Sequence, residues 1–226
     1  MVPPLALDID GTLTTPAHAV DPRVFEALAG WDAPVVLATG KAFPYPVALC
    51  HFAGIPELVV AENGGVVLAD DAVHYAGDPE LVREAAEAFE ERGGDRGWGE
   101  ADTTNRWRET EVAVSRDADE SLLRSVAAEF DLTVVDTGYA YHLKPPSVGK
   151  GDGLELVAAA LGRDPAEFVA VGDSENDVST FAVAGESYAV ANADDRAKAA
   201  ADEVVPDGHF DGTLSVLAGV RDRAGE

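Results

Sequence analysis

Short apolar runs alternate with amphipathic stretches along most of the 226-residue chain, and the alternation predicts strands and helices in turn. Residues 4–9 (PLALDI) read as a buried strand. DPRVFEALAG follows as a helix, with Asp21 as N-cap, Pro22 at the first helical position and Gly30 past the end. PVVLAT is a continuous apolar strand, and a short helix is expected over residues 46–53. LVVAENGGVVLAD reads as two strands around the turn Asn63-Gly64-Gly65.

The middle of the chain changes character. DPELVREAAEAFEERGG is an amphipathic helix ended by glycines, followed by a polar stretch over residues 93–108. Then come a strand (TEVAVSR), a helix (DESLLRSVAAEF) and two strands (LTVVD and YAYHLKP) joined near Thr137-Gly138. After Pro145-Pro146 the earlier rhythm resumes. A helix spans residues 150–162, FVAVGD is a strand, a helix follows Asn176, SYAVAN is a strand, and the terminal region is helical. The whole predicts an α/β fold with a Rossmann-like parallel sheet covered by helices on both faces, plus a small α+β insert. The core takes residues 1–78 and 149–226, and the insert takes 79–148.

Composition sharpens this picture. A hydrophobic share of 46% fits an ordinary globular core. No apolar run is long enough to suggest a membrane span. The N-terminus, Met1-Val2-Pro3-Pro4, lacks the basic region of a secretory signal, and a single cysteine, Cys50, excludes an internal disulfide. A reducing cytoplasm is the expected location. The net charge of −26 excludes nucleic acid as the main partner, because phosphate contacts need Lys and Arg. Regular periodicity excludes an acidic disordered protein. Only four lysines occur, Lys41, Lys144, Lys150 and Lys198, which points to a salty interior. There a Debye length of ~3 Å screens self-repulsion.

Candidate chemistry falls at strand ends: Asp8 and Asp10 after the first strand, Thr39 and Gly40 after VVLA, and Asp173 with Asp177 after FVAV. Lys150 starts a helix that reaches the same edge, where open parallel sheets bind ligands. Asp8 and Asp10, at i and i+2, share a side for as long as the strand continues. Several carboxylates meeting at one place call for a hard divalent cation with oxygen ligands, Mg²⁺ for choice. Calcium-loop spacing fails at both acidic stretches, since Ala19 and Ala184 stand where a bidentate glutamate is required. Taken singly, each motif also suits a turn or a cap.

Together, DIDGT, ATGK, the lysine of VGKG and GDSENDV resemble the four motifs of the haloacid dehalogenase-like hydrolases, over nearly the whole chain. Only 28 residues separate Asp10 from Thr39, so the insert lies between Thr39 and Lys150. That is similar to the Cof-type branch with a C2-type cap, and the length, ENGG and small cap look most like the archaeal phosphoglycolate phosphatases. The resemblance implies Mg²⁺-dependent hydrolysis of a small phosphomonoester, foremost 2-phosphoglycolate. Asp8 would be nucleophile and Asp10 acid and base. Thr39, Gly40, Lys150 and Asn176 would hold phosphate. Asp8, Asp10 (through its main-chain carbonyl), Asp173 and Asp177 would surround the metal. A sugar-phosphate or broad-specificity phosphatase, or a non-catalytic phosphate- or metal-binding regulator, are the other readings. Lys41 departs from the family pattern, which often has Arg or Asn there. Arginines 96, 106 and 108 are candidates for a second anion clamp or for pairing with nearby acids.

Overall fold

The computed structural model describes residues 1–137 and 139–225. The chain divides into two compact units, Met1–Val73 with Gly149–Glu226, and His74–Val148. In chain order the first elements are β1 (Leu5–Leu7), α1 (Arg23–Ala29), β2 (Val35–Ala38), α2 (Pro44–Ala53), β3 (Val59–Ala61), β4 (Val66–Ala69) and β5 (Ala72–Tyr75). There follow α3 (Pro79–Glu91), β6 (Val112–Ser115), α4 (Glu120–Glu129), β7 (Thr133–Asp136) and β8 (Ala140–Lys144). The last are α5 (Lys150–Ala160), β9 (Val169–Gly172), α6 (Val178–Val183), β10 (Glu186–Ala189), α7 (Asp195–Ala200), β11 (Glu203–Val204) and α8 (His209–Gly225).

The main sheet has the order β11-β10-β9-β1-β2-β3-β4-β5. Its strands run parallel from β11 to β3, and β4 returns antiparallel to β3. Leu5 therefore lies beside both Val35 and Val169, which brings residues 164 positions apart in the chain to neighbouring strands. Side chains alternate between two covered faces. Leu5, Leu7, Val35 and Leu37 pack with Val24 and Leu28 of α1, Cys50 of α2 and Phe210 and Leu217 of α8. Ala6, Val36 and Ala38 pack with Leu154 and Val157 of α5 and Phe181 of α6. Both faces are buried, so these strands read as unbroken apolar runs. Each large aliphatic side chain fully removed from water is worth about 1.5–3 kcal/mol.

Local signals act where their chemistry requires. Pro22 already has helical dihedrals, and the Asp21 carboxylate accepts the Arg23 N–H at 2.9 Å, which caps α1. Three expectations change. β1 ends at Leu7 rather than Ile9, because the chain turns there and the N–H groups of Thr12 and Leu13 bond Ile9 O. The segment after β9 begins as a 3₁₀ turn, Glu175–Asp177, before the six-residue α6. Strands β5 and β11, absent from the sequence reading, are short and largely exposed, so they carry no apolar run.

In the second unit, the three-stranded antiparallel sheet β6-β8-β7 packs one face against α3 and α4 through Val82, Phe89, Leu123, Val126, Val114 and Leu143. Asp78 caps α3 and Asp119 caps α4. The polar stretch protects the free edge of β6: the Asn105 amide accepts the Ala113 N–H and donates to Ala113 O, at 2.8 and 2.9 Å. Of the turn expected at Thr137-Gly138, Gly138 lies outside the described residues. The Thr137 N–H and hydroxyl both donate to Ala140 O. Among the described residues, no helix is long and apolar enough to cross a membrane.

Candidate active site

The site is built on the carboxyl ends of β1, β2 and β9 in the first unit. Asp8 extends the β1 ladder, its N–H donating to Val171 O at 3.0 Å, and its side chain is buried. Gly11 follows at φ +79°, and a Cβ there would meet the Asp173 carboxylate at 1.9 Å. Only glycine lets the β1 turn and the end of β9 approach so closely.

Lys150, the first residue of α5, has no exposed surface. Its ammonium donates to Asp8 Oδ1 and to Asp177 Oδ1, each at 2.7 Å. The second Asp177 oxygen accepts the N–H groups of Asp173 and Ser174 at 3.0 and 3.1 Å, so this acid ties the 3₁₀ turn to the lysine. Asp8 Oδ2 is buried without a hydrogen-bond partner among the described residues. Such an atom is expensive to bury unless something else binds it.

Burial pushes the Asp8 carboxyl well above the ordinary range; Lys150 pulls it down, and Asp177, Asp173 and Asp10 push it up. Burial, then Asp177, raises Asp173 to about 7. Burial also works against the Lys150 charge, yet Asp177 and Asp8 outweigh it and hold the ammonium above its usual range. The Asp8 and Asp173 carboxyls rise through burial and the negative charge of their neighbours, and that same negative charge raises Lys150. Oxygens of Asp8, Asp173 and Asp177 lie within 4.8 Å of one another and could hold a metal ion. The unpartnered Asp8 oxygen and the all-oxygen donor set fit a hard divalent cation.

The family model for haloacid dehalogenase-like hydrolases matches residues 5–104 and 110–217. The chain belongs to this family. Relatives within it include a phosphoglycolate phosphatase of Halorubrum lacusprofundi, 68% identical over 99% of both chains. Another, of Halobacterium salinarum, is 57% identical over 97% of both, and one of Archaeoglobus fulgidus is 38% identical over 94% of both. The crystal structure of Thermoplasma acidophilum 0175 shares the fold at a TM-score of 0.84, covering 98% of this chain and 99% of that one at 24% identity.

The other residues that the haloacid dehalogenase resemblance singles out are distributed unevenly. Thr39 is buried, and its hydroxyl accepts the Lys41 N–H at 3.1 Å. Gly40 packs against the Asn63 side chain. Asn176 donates to Asn63 Oδ1 at 2.9 Å and accepts the Ser174 hydroxyl at 2.8 Å, so its amide bridges the β3–β4 turn and the turn after β9. The Asp10 carboxylate stands apart from the acidic cluster and pairs with Lys41 at 3.1 Å. Once β1 stops at Leu7, the shared-side argument for Asp8 and Asp10 no longer applies.

Two residues escaped the sequence reading. Asn63, at φ +54°, joins the β3–β4 turn to Asn176; a hairpin turn signal marked its place without its partner. The Asn192 amide, after β10, donates to Gly11 O at 3.0 Å and approaches Asp173 Oδ2 at 3.5 Å. A lone asparagine at a strand end was the only clue. Of the loop arginines, Arg96 pairs with Glu90 and Asp102, and Arg108 with Glu111, as expected for cations in an acidic chain.

Proposed function

We propose that this chain is a Mg²⁺-dependent phosphatase that hydrolyses 2-phosphoglycolate to glycolate and phosphate in the cytoplasm. One observation carries the reading: a buried Asp8 has one oxygen held by Lys150 and the other unpartnered beside two further acids. That is the arrangement of a nucleophile held in place and still able to attack. The relatives' name supplies the substrate, and the chain's charge argues against nucleic acid as a partner.

In this reading Asp8 Oδ2 attacks phosphorus, the new O–P bond forms, and the ester P–O bond breaks. Asp10 gives its proton to the departing alkoxide, then takes one from the water that cleaves the aspartyl-phosphate, restoring Asp8 and releasing phosphate. Lys150 keeps Asp8 oriented and offsets its charge. Thr39 and Gly40 bind phosphoryl oxygens, and Asn176 positions the same wall through Asn63. Asp8, Asp173 and the main-chain carbonyl of Asp10 would hold Mg²⁺, with Asp177 beside them. The bound cation would neutralise charge on the transferring phosphoryl group. The family resemblance gives the cap role to the α+β unit, with residues 1–78 and 149–226 as core and 79–148 as cap.

The test is phosphate release from 2-phosphoglycolate, sugar phosphates and mononucleotides at high KCl, with Mg²⁺ or with EDTA. We expect turnover with Mg²⁺ only and preference for 2-phosphoglycolate. A silent panel would remove the enzymatic reading, and an even one the substrate.

A further inference from the structure

We infer that Lys41 is a specificity-determining residue that binds the carboxylate of the substrate's leaving group. The inference rests on the phosphoglycolate phosphatase reading proposed above. Lys41 Nζ lies 3.1 Å from Asp10 Oδ1, and the two side chains are 39% and 43% exposed. Both are therefore open to a ligand, unlike Lys150, Asp8 and Asp177.

The position follows from the chemistry of the reaction. A group that protonates the leaving oxygen must come within hydrogen-bond reach of it. In 2-phosphoglycolate the carbon attached to that oxygen carries the carboxylate. A cation beside Asp10 thus stands where this second anion arrives. The ammonium has three N–H donors, so it can donate to Asp10 and to a substrate carboxylate together.

The local structure anchors the backbone and frees the tip. The Lys41 N–H is held by the Thr39 hydroxyl at 3.1 Å, and its carbonyl accepts the Glu62 N–H at 3.0 Å. The side chain then runs out with Nζ 5.7 Å from the centre of the Tyr45 ring. The choice of residue is also informative. In a chain with net charge −26 and four lysines, two stand at the carboxyl ends of this sheet. Lys150 serves Asp8 and Asp177. An anionic leaving group needs a cation of its own, because a carboxylate brought unpaired toward four aspartates would be repelled.

The test compares kcat/KM for 2-phosphoglycolate and ethyl phosphate, in which a methyl group replaces the carboxylate. Wild type, Lys41→Met and Lys41→Arg are measured with Mg²⁺ at high KCl. We expect wild type to prefer 2-phosphoglycolate. Lys41→Met should shrink that preference about 10- to 100-fold, the span of one charge-assisted hydrogen bond. The change should come mainly through KM, and Lys41→Arg should keep most of the preference. A preference unchanged in Lys41→Met, or an equal loss on both substrates, overturns the inference and leaves the phosphatase reading standing. A wild type that lacks the preference removes the substrate reading and this inference together.

Discussion

Lys150 Nζ lies 2.7 Å from Asp8 Oδ1 although 142 positions separate the residues in the chain, and both are buried. One ammonium is thereby committed to the acid after β1 and to the acid below the β9 turn.

Replacing Lys150 by Met leaves Asp8 and Asp177 buried without their cation. Removing one partner of a buried ion pair costs about 3–5 kcal/mol. We therefore expect a lowered urea midpoint in EDTA, partial recovery with Mg²⁺, and phosphate release reduced at least ~10³-fold. A variant with wild-type midpoint and turnover would show that the pair contributes to neither.

Asp8→Asn should behave differently. The neutral amide removes one of the surplus negative charges while Lys150 keeps Asp177. We predict abolished turnover with a metal-free melting temperature equal to or above wild type. Normal phosphate release would falsify the nucleophile assignment.

The pH dependence of metal-free stability has a definite sign. Burial and Asp177 raise the Asp173 carboxyl from 3.8 to about 7. The folded chain therefore holds this proton where the unfolded chain has lost it. The contribution is fully present below about 3.8 and is lost as pH rises through about 7. Urea midpoints in EDTA should carry this downward component between pH 4 and 7, and Asp173→Asn should remove it. Equal slopes for wild type and variant would contradict the assignment.

Salt should stabilise the protein. At −26, self-repulsion across the surface is screened as the Debye length shrinks toward ~3 Å in molar salt. The relatives from Halorubrum and Halobacterium are those of halophilic archaea. Unfolding followed against KCl should show a falling midpoint at low salt; a flat profile would exclude this role for the acidic surface.

The chain's own pattern determined the buried strands, the Asp21 cap of α1 and the motif residues at strand ends. Those features depend on neighbours a few positions away, so periodicity and side-chain type suffice to predict them. Tertiary structure decided the partners. The strand order sets β9 beside β1, which delivers Asp173 and Asp177 to Asp8 and lets Lys150 reach between them. The early end of β1 turns Asp10 away from that cluster and toward Lys41. β5 and β11 exist only because a neighbouring strand offers them a ladder. Which acid is buried, which is exposed and which receives a cation are questions of desolvation and distance. Both are set by packing across the sheet, and neither is written in the spacing along the chain.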